Sequence, residues 1–274
     1  MKIKANAKIN LGLYITGLDQ NNYHLLDSTM LPISLYDDIE ISLNDIDEVI
    51  FVNQIVPTNN TVTKALSLMK NYYKYQECFK VIINKNIPSG AGLGGGSSDA
   101  AFVMKAIIEI LNIKTSKEEL CNIALKIGAD VPFFIINKPC RMQGIGEILT
   151  PFEIQKEVKI LLIKPKFAID TVKAYKKYDE IKFSKKSNIQ SIINSLKEGK
   201  IINDVENDLF IPAKELEKEL CSLEEKIKEF NPYLLTMSGS GSTLIIYDKV
   251  NKLEKIKKVL NFKDFELLQI VNII

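Results

Sequence analysis

A glycine-rich stretch in the first half of the chain has the clearest chemical potential. The sequence PSGAGLGGGSSDAA, residues 88–101, has five glycines among the seven residues from Gly90 to Gly96. Glycines let backbone N–H groups converge on an anion, and an apolar pattern of helical spacing starts directly afterwards at Ala100. Since a helix N-terminus adds unpaired donors and a favourable dipole, this segment predicts a site for a polyphosphate.

Other glycine loops fit these residues less well. Gly90, Gly92 and Gly95 satisfy the GxGxxG spacing of dinucleotide sites, but residues 85–89 separate them from the preceding strand pattern. No lysine follows the last glycine, as a Walker loop requires, and the HRD and DFG segments of protein kinases are absent. A glycine turn without chemistry is the plain alternative, and the helix that follows argues against it.

The composition narrows the class of partner. The net charge is only +2, and Arg141 is the one arginine among 36 basic residues, whereas nucleic-acid binders cluster arginines. The cysteines form no CxxC pair, which favours reduced thiols over a zinc site or a disulfide framework: Cys78, Cys121, Cys140 and Cys221. No apolar run reaches the length of a signal peptide or membrane span. We therefore expect a cytoplasmic protein without nucleic-acid or membrane partners.

The chain begins with a strand pattern. Apolar residues alternate from Ile3 to Ile15, which predicts a half-buried strand. Because side chains alternate between the two faces of a strand, Lys4, Asn6, Lys8 and Asn10 share the other face.

Further elements follow from local patterns. We predict short strands up to residue 51, a helix over 61–73 and a strand over 79–84. Ser97, Ser98 or Asp99 is available to cap the helix after the glycines. A capping box at residues 116–119 starts another helix, which ends near residue 128 and delivers Asp130 just past its C-terminus.

The second half mixes the same elements. TPFEIQKE at 150–157 predicts a connection. Strands are expected over 158–163, 234–237, 243–247 and near 267–273, and helices around 187–198, 212–230 and 249–260. The fold class is therefore α+β. A chain of 274 residues favours two domains, and we set them at 1–152 and 153–274.

The glycine segment closely resembles the ATP loop of the GHMP kinases, the superfamily of galactokinases, homoserine kinases and mevalonate kinases. Six further segments fall in the order expected for one branch of it: AKIN at 7–10, YH at 23–24, GADVPFF at 128–134, GIGEILTP at 144–151, END at 206–208 and SGSGS at 238–242. The resemblance spans nearly the whole chain. It implies the two-domain GHMP kinase fold, with an N-terminal domain like ribosomal protein S5 and a ferredoxin-like C-terminal domain.

The resemblance also implies a reaction. In that branch the ATP γ-phosphoryl passes to the 2-hydroxyl of a cytidyl-linked methylerythritol, in the non-mevalonate route to isoprenoid precursors. Lys8 and Asp130 match the catalytic pair. Asp130 would accept the hydroxyl proton, and Lys8 would orient Asp130 and stabilise the developing alkoxide, which suits a weak alcohol nucleophile. The predicted ATP-binding residues are Pro88, Ser89, Gly90, Ala91, Gly92, Leu93, Gly94, Gly95, Gly96, Ser97 and Ser98.

The substrate site is also inferred from the resemblance. Tyr23 and His24 match the cytosine site, where a ring stacks on the base and the histidine bonds its edge, and Tyr175 aligns with the aromatic residue on the other side. Asn10 is expected at the polyol or phosphate end, and Ser238 and Gly239 at a wall near substrate. The family's glycine before the YH pair is Asn22 here, which tolerates positive φ.

Several points stay open at this level. ATP with Mg²⁺ is the expected cofactor, and Ser98 is a candidate helper, but no residue set predicts the metal ligands. A monomer or weak homodimer is expected. A homoserine or mevalonate kinase, and a relative that binds ligand without turnover, are the alternatives.

Overall fold

The computed structural model describes residues 1–181 and 186–274. These residues form two compact units. The first unit comprises 1–7, 35–89 and 94–137, and the second comprises 8–34, 90–93 and 138–274. Two long strands, β1 (Lys2–Leu18) and β2 (His24–Asn44), contribute residues to both units. The predicted domain boundary at residues 152/153 follows chain order and stays a prediction.

The first unit combines a small sheet with helices. Strand β4 (Cys78–Asn84) pairs antiparallel with the last part of β2 and parallel with β3 (Glu48–Phe51). The helices of this unit are α1 (Thr61–Tyr73), α2 (Gly95–Ile110), α3 (Lys117–Leu125) and α4 (Val131–Ile136). Helix α2 packs against α1 and α4, and α3 packs against α4.

Local chemistry explains where two of these helices begin. Asn60 precedes α1, and its side-chain oxygen accepts the N–H of Thr63 at 2.8 Å. Ser116 does the same for the N–H of Glu119 at the start of α3. Helix α1 then buries Val62, Ala65, Leu66 and Met69 on one face. The predicted bounds of α1 and the predicted cap of α3 are therefore confirmed.

The second unit is built around an antiparallel sheet. Its strands follow the order β2, β10 (Phe265–Ile273), β7 (Val158–Pro165), β9 (Leu244–Tyr247), β8 (Leu234–Met237). A hairpin of β5 (Cys140–Gly144) and β6 (Ile148–Pro151) pairs with β2 through β5. The helices are α5 (Thr171–Ile181), α6 (Ile189–Glu198), α7 (Phe210–Leu216), α8 (Glu219–Lys228) and α9 (Val250–Val259).

Apolar side chains from the strands and from the helices fill the core of this unit. Strands β7, β8, β9 and β10 contribute residues such as Leu161, Met237, Ile246 and Leu268, and the helices contribute residues such as Ile227. The α+β prediction is thus confirmed.

Strand β1 departs from its prediction. The alternation predicted one solvated face, but every residue from Ala5 to Ile15 is buried. The polar residues are buried because hydrogen bonds replace water: the side chain of Asn6 donates to the carbonyl of Ala7, and that of Lys8 donates to Asn10. The polar face of β1 formed by Asn6, Lys8 and Asn10 is therefore buried inside the protein.

Other predicted bounds are corrected. The strands expected up to residue 51 are mainly one 21-residue strand, β2. The single helix expected over 212–230 is divided into α7 and α8 by Glu217, whose backbone is extended, and Lys214 reaches across the break to Glu224 at 2.7 Å. The connection expected at 150–157 begins inside β6. Helix α5 had no prediction of its own, because it buries only Ala174 and Tyr178.

Candidate active site

The start of α2 is the part of the glycine segment that lies in the first unit. The predicted caps Ser97, Ser98 and Asp99 are wrong, because the helix begins earlier, at Gly95. Gly94 precedes it in the left-handed region at φ 71°, and as a glycine it has no side chain to cap the first turn. The first N–H groups of α2 are thus left for a ligand, and the helix dipole favours an anion there.

Neighbouring residues fix this helix start. The hydroxyl of Thr61 donates to the carbonyl of Gly96 at 2.6 Å, and the fully buried Ser98 donates to the carbonyl of Asn6 at 2.6 Å. The Ser98 proton is therefore engaged within the protein. A side chain on Gly95 would come within 2.9 Å of Ile87, so the close packing requires glycine.

A buried ionic cluster underlies the same helix start, and sequence reasoning missed it. The ammonium of Lys85 bonds to Asp37 and, at 2.6 Å, to Asp99. The other carboxylate oxygen of Asp37 accepts the N–H groups of Asn86 and Ile87 at 2.6 and 2.8 Å. The cluster therefore links β2, the end of β4 and the first turns of α2.

Burial and neighbouring charges act in opposite directions on the ionisable groups of this cluster. Burial raises the pKa of Asp99 to about 7, Lys85 opposes the rise, and Asp37 adds to it. Burial alone would lower the pKa of Lys85, but the two carboxylates outweigh it and the pKa is raised. Among residues 1–181 and 186–274, the second oxygen of Asp99 has no hydrogen-bond partner. The cluster thus holds more carboxylate than one ammonium balances.

Residues 90–93 are the part of the glycine segment that lies in the second unit. The side chains of Ala91 and Leu93 are buried, and the carbonyl of Leu93 accepts the N–H of Lys8 at 2.9 Å. A side chain on Gly92 would lie 2.3 Å from the carbonyl oxygen of Ser238, and the Ser238 hydroxyl donates to the Gly92 carbonyl at 2.9 Å. Glycine at 92 thus lets two backbone segments touch.

The polar residues of β1 form a network in this unit. The Lys8 ammonium donates to the side-chain oxygen of Asn10 at 2.6 Å, whose amide donates to the hydroxyl of Ser28 at 3.1 Å. The backbone N–H of Asn10 donates to the hydroxyl of Ser238 at 3.2 Å. The Lys8 ammonium lies 3.8 Å from where a Gly239 side chain would begin. The structure therefore brings Lys8, Asn10, Ser238 and Gly239 together, and their roles toward a substrate stay predictions.

Asn207 is a second residue that sequence reasoning missed. Its buried amide donates to the carbonyls of Met237 and Gly239 at 2.7 and 2.8 Å, and so clamps the SGSGS loop. The next residue, Asp208, accepts the N–H of Ile15 at 2.8 Å. The END segment was visible in the sequence as a motif, but nothing local indicated this role.

Asp130 lies in the first unit, immediately before α4. Its side chain does not cap that helix. Lys105 holds the other end of α4 by donating to the carbonyl of Phe134 at 2.6 Å, and burial lowers the pKa of Lys105 to about 8. Pro88 and Ser89 belong to the loop that follows β4 in this unit.

The predicted base site lies at the end of β1 and the start of β2. Asn22 has φ 63°, so it replaces the family's glycine without losing the turn, and Asp19 accepts the N–H of Tyr23 at 2.7 Å. Tyr23 is 63% exposed. The ring of His24 stacks on Tyr175 with centroids 4.8 Å apart. The structure thus brings His24 and Tyr175 together and leaves Tyr23 accessible.

Clusters of metal-binding side chains and membrane-spanning helices are both absent from the residues that the structure describes. In the part of the chain that the structure describes, no three histidine, cysteine or acidic side chains are grouped to hold a metal ion. Over the same residues no helix has the length and apolarity to cross a bilayer.

The sequence and the fold of this chain both resemble those of known proteins. A family model described as GHMP kinases N terminal domain matches residues 60–138. The 4-diphosphocytidyl-2-C-methyl-D-erythritol kinase of Clostridium acetobutylicum is 36% identical over 264 residues, 93% of this chain and 94% of that protein. The kinase of the same name from Thermoanaerobacter pseudethanolicus is 34% identical over 275 residues, 97% of this chain and 95% of that protein.

Solved structures of kinases also resemble the fold of this chain. A crystal structure of 4-(cytidine 5'-diphospho)-2C-methyl-D-erythritol kinase superposes with a TM-score of 0.86 at 26% identity, covering 99% of this chain and 98% of the other. A homoserine kinase from Cytophaga hutchinsonii has a TM-score of 0.71 at 13% identity over 99% of this chain and 96% of its own, and shows the fold alone. The fold predicted from the motifs is confirmed, and the chain belongs to the 4-diphosphocytidyl-2-C-methyl-D-erythritol kinase family of the GHMP kinases.

Proposed function

We propose that this protein transfers the γ-phosphoryl group of ATP to the 2-hydroxyl of 4-diphosphocytidyl-2-C-methyl-D-erythritol, giving the 2-phosphate and ADP in the non-mevalonate route to isoprenoid precursors. The observation that carries the proposal is the uncapped, glycine-built N-terminus of α2 in a chain with relatives of this name over more than nine-tenths of its length. The helix start supports the use of ATP, and the names of the relatives indicate which molecule accepts the phosphoryl group.

Residues 88–98 hold the triphosphate in this proposal. The first N–H groups of α2 point outward from a positive helix end, where anionic oxygens replace the missing acceptors. Ala91 and Leu93 are buried and contribute backbone rather than side chains to the grip. Mg²⁺ would neutralise phosphate charge there, with Ser98 a candidate residue to help hold it, and this stays a prediction.

The chemical step then needs a base and a cation. The substrate oxygen forms a bond to the γ-phosphorus, the bond from phosphorus to ADP breaks, and Asp130 accepts the hydroxyl proton. Lys8 orients Asp130 and stabilises the developing alkoxide. The bond from the Lys8 ammonium to Asn10 supports this role, because it holds a long, flexible side chain in one place.

The cytidyl group is assigned to the end of β1. Tyr23 is exposed and available for stacking, His24 bonds the base edge, and Tyr175 is the second aromatic residue. Asn10 is assigned to the polyol or phosphate end, and Ser238 and Gly239 to a wall near substrate. The cytoplasmic location and the monomer or weak homodimer also stay predictions.

A coupled ADP-release assay tests the proposal across 4-diphosphocytidyl-2-C-methyl-D-erythritol, mevalonate and homoserine. We expect turnover with the cytidyl substrate and with neither of the others. Turnover with mevalonate or homoserine alone would replace the acceptor, and binding without ADP release would make the chain a non-catalytic relative.

The catalytic pair is tested by Asp130→Asn and Lys8→Ala. We expect each variant to fold and to lose at least about a hundredfold in kcat, because general base catalysis contributes this much. Circular dichroism checks the fold, and Lys4→Ala, on the same face of β1 but exposed, is the matched control. Turnover near that of the wild type in either variant would remove that residue from the mechanism.

A further inference from the structure

Three side chains of helix α5 contact His24, the only histidine of the chain. Tyr175, Tyr178 and Asp179 are spaced i, i+3 and i+4, so they share one helix face. The His24 ring stacks on Tyr175, meets the edge of Tyr178 with centroids 5.9 Å apart, and bonds through Nε2 to the carboxylate of Asp179 at 2.8 Å. Three side chains of one helix therefore fix the position of one imidazole.

The Asp179 contact has a chemical consequence. A carboxylate only accepts hydrogen bonds, so Nε2 must carry the proton, and in a neutral imidazole Nδ1 is then an acceptor. Among residues 1–181 and 186–274, Nδ1 has no hydrogen-bond partner. The Asp179 side chain is 56% exposed, so the pair adds little to stability. The bond to Asp179 instead determines which nitrogen of the His24 ring carries the proton and donates a hydrogen bond.

His24 and Asp179 face a cavity of about 520 Å³, whose other lining residues include Tyr178 and, at the end of β1, Thr16 and Gly17. Binding sites for small ligands commonly enclose about 300–1,000 Å³. A 4-aminopyrimidine such as cytosine presents an N–H donor at C4, whereas a 4-oxopyrimidine such as uracil presents an acceptor there. An acceptor at Nδ1 complements the first and repels the second.

We propose that Asp179 is a positioning residue that holds His24 as the Nε2–H tautomer, so that the site takes a 4-aminopyrimidine base and rejects a 4-oxopyrimidine. The inference rests on the proposed function for the identity of the ligand, but the tautomer itself does not. We expect truncation of Asp179 to leave the fold intact, because its own side chain is 56% exposed.

The tautomer is read directly by NMR, since the chain has one histidine. With ¹⁵N-histidine and an alkaline sample that keeps the ring neutral, we expect a protonated Nε2 and an unprotonated Nδ1. Asp179→Leu should yield a mixture of tautomers. Glu180→Gln removes the same charge from the next residue, which pairs with Lys177, and should leave the spectrum unchanged. A protonated Nδ1 in the neutral wild-type ring would overturn the proposal.

Specificity is measured with cytidine- and uridine-diphosphate forms of methylerythritol. We expect the wild type to prefer the cytidine form in kcat/KM, and Asp179→Asn, whose amide can also donate to Nε2, to lose at least about tenfold of that preference with KM for ATP unchanged. Glu180→Gln should keep it. An unchanged preference in Asp179→Asn would overturn the inference. Turnover of neither form by the wild type would instead sink the proposed function, and the NMR result would still decide the tautomer.

Discussion

The two units stabilise their glycine segments by different chemistry. In the second unit, residues 90–93 and the SGSGS loop are held by amides and hydroxyls, with the Lys8 ammonium at one end of the network. In the first unit, the start of α2 rests on one lysine and two buried carboxylates. An amide network is strong only if every bond is made, whereas an ionic cluster is destabilised when a buried charge loses its partner.

The largest expected effect comes from removing the cation of the ionic cluster. Lys85→Met leaves Asp37 and Asp99 buried side by side without a cation, and their side chains are 0% and 1% exposed. We expect a loss of about 3–5 kcal/mol in the free energy of unfolding, measured by chemical denaturation. Lys80→Met removes a partly exposed lysine of β4 that pairs with Glu48 of β3, and should cost less than about 1 kcal/mol.

Adding Asp99→Asn to Lys85→Met sharpens this test. It removes one of the two unbalanced charges, so part of the lost stability should return. Equal losses in Lys85→Met and Lys80→Met, or no recovery in the double variant, would contradict the ionic account.

A smaller loss is expected from the amide network. Asn207→Ala leaves the carbonyls of Met237 and Gly239 without their donor, which should cost about 1–3 kcal/mol in the free energy of unfolding. Because the SGSGS loop then loses its clamp, we also expect a higher KM for the cytidyl substrate. Asn194→Ala removes an amide from an exposed bond to Gln190 and serves as the control.

The contrast between the units also predicts the pH response of this site. Asn207 does not titrate, so the cost of Asn207→Ala should be the same at acidic and neutral pH. A cost that changes with pH would show that the clamp depends on a titrating neighbour.

The same contrast explains what the sequence could reveal. The bounds of α1 and the Ser116 cap are local, since the residues that determine them are close together in the chain. The Lys85 cluster joins residues 48 and 14 positions apart, and Asn207 reaches loop carbonyls 30 and 32 positions away. Those contacts depend on how strands pair, which no local pattern specifies. The motif order indicated the family, but not which residues support the site.

The mildest test titrates the ionic cluster instead of breaking it. Burial raises the pKa of Asp99 from 3.8 to about 7, against the pull of Lys85. Between those values the folded state retains a proton that the unfolded chain releases, so the contribution of Asp99 to stability is present below pH 3.8 and lost as the pH rises through 7.

Asp99→Asn should therefore remove a slope of at most about 1.4 kcal/mol per pH unit from the unfolding free energy, seen as a wild-type stability that falls relative to the variant between about pH 4 and pH 7. Asp38→Asn removes an exposed carboxylate from the same strand as Asp37 and separates loss of net charge from loss of the cluster. Parallel pH profiles for wild type and Asp99→Asn would mean that Lys85 keeps Asp99 ionised throughout. The two units would then differ in geometry but not in their response to protons.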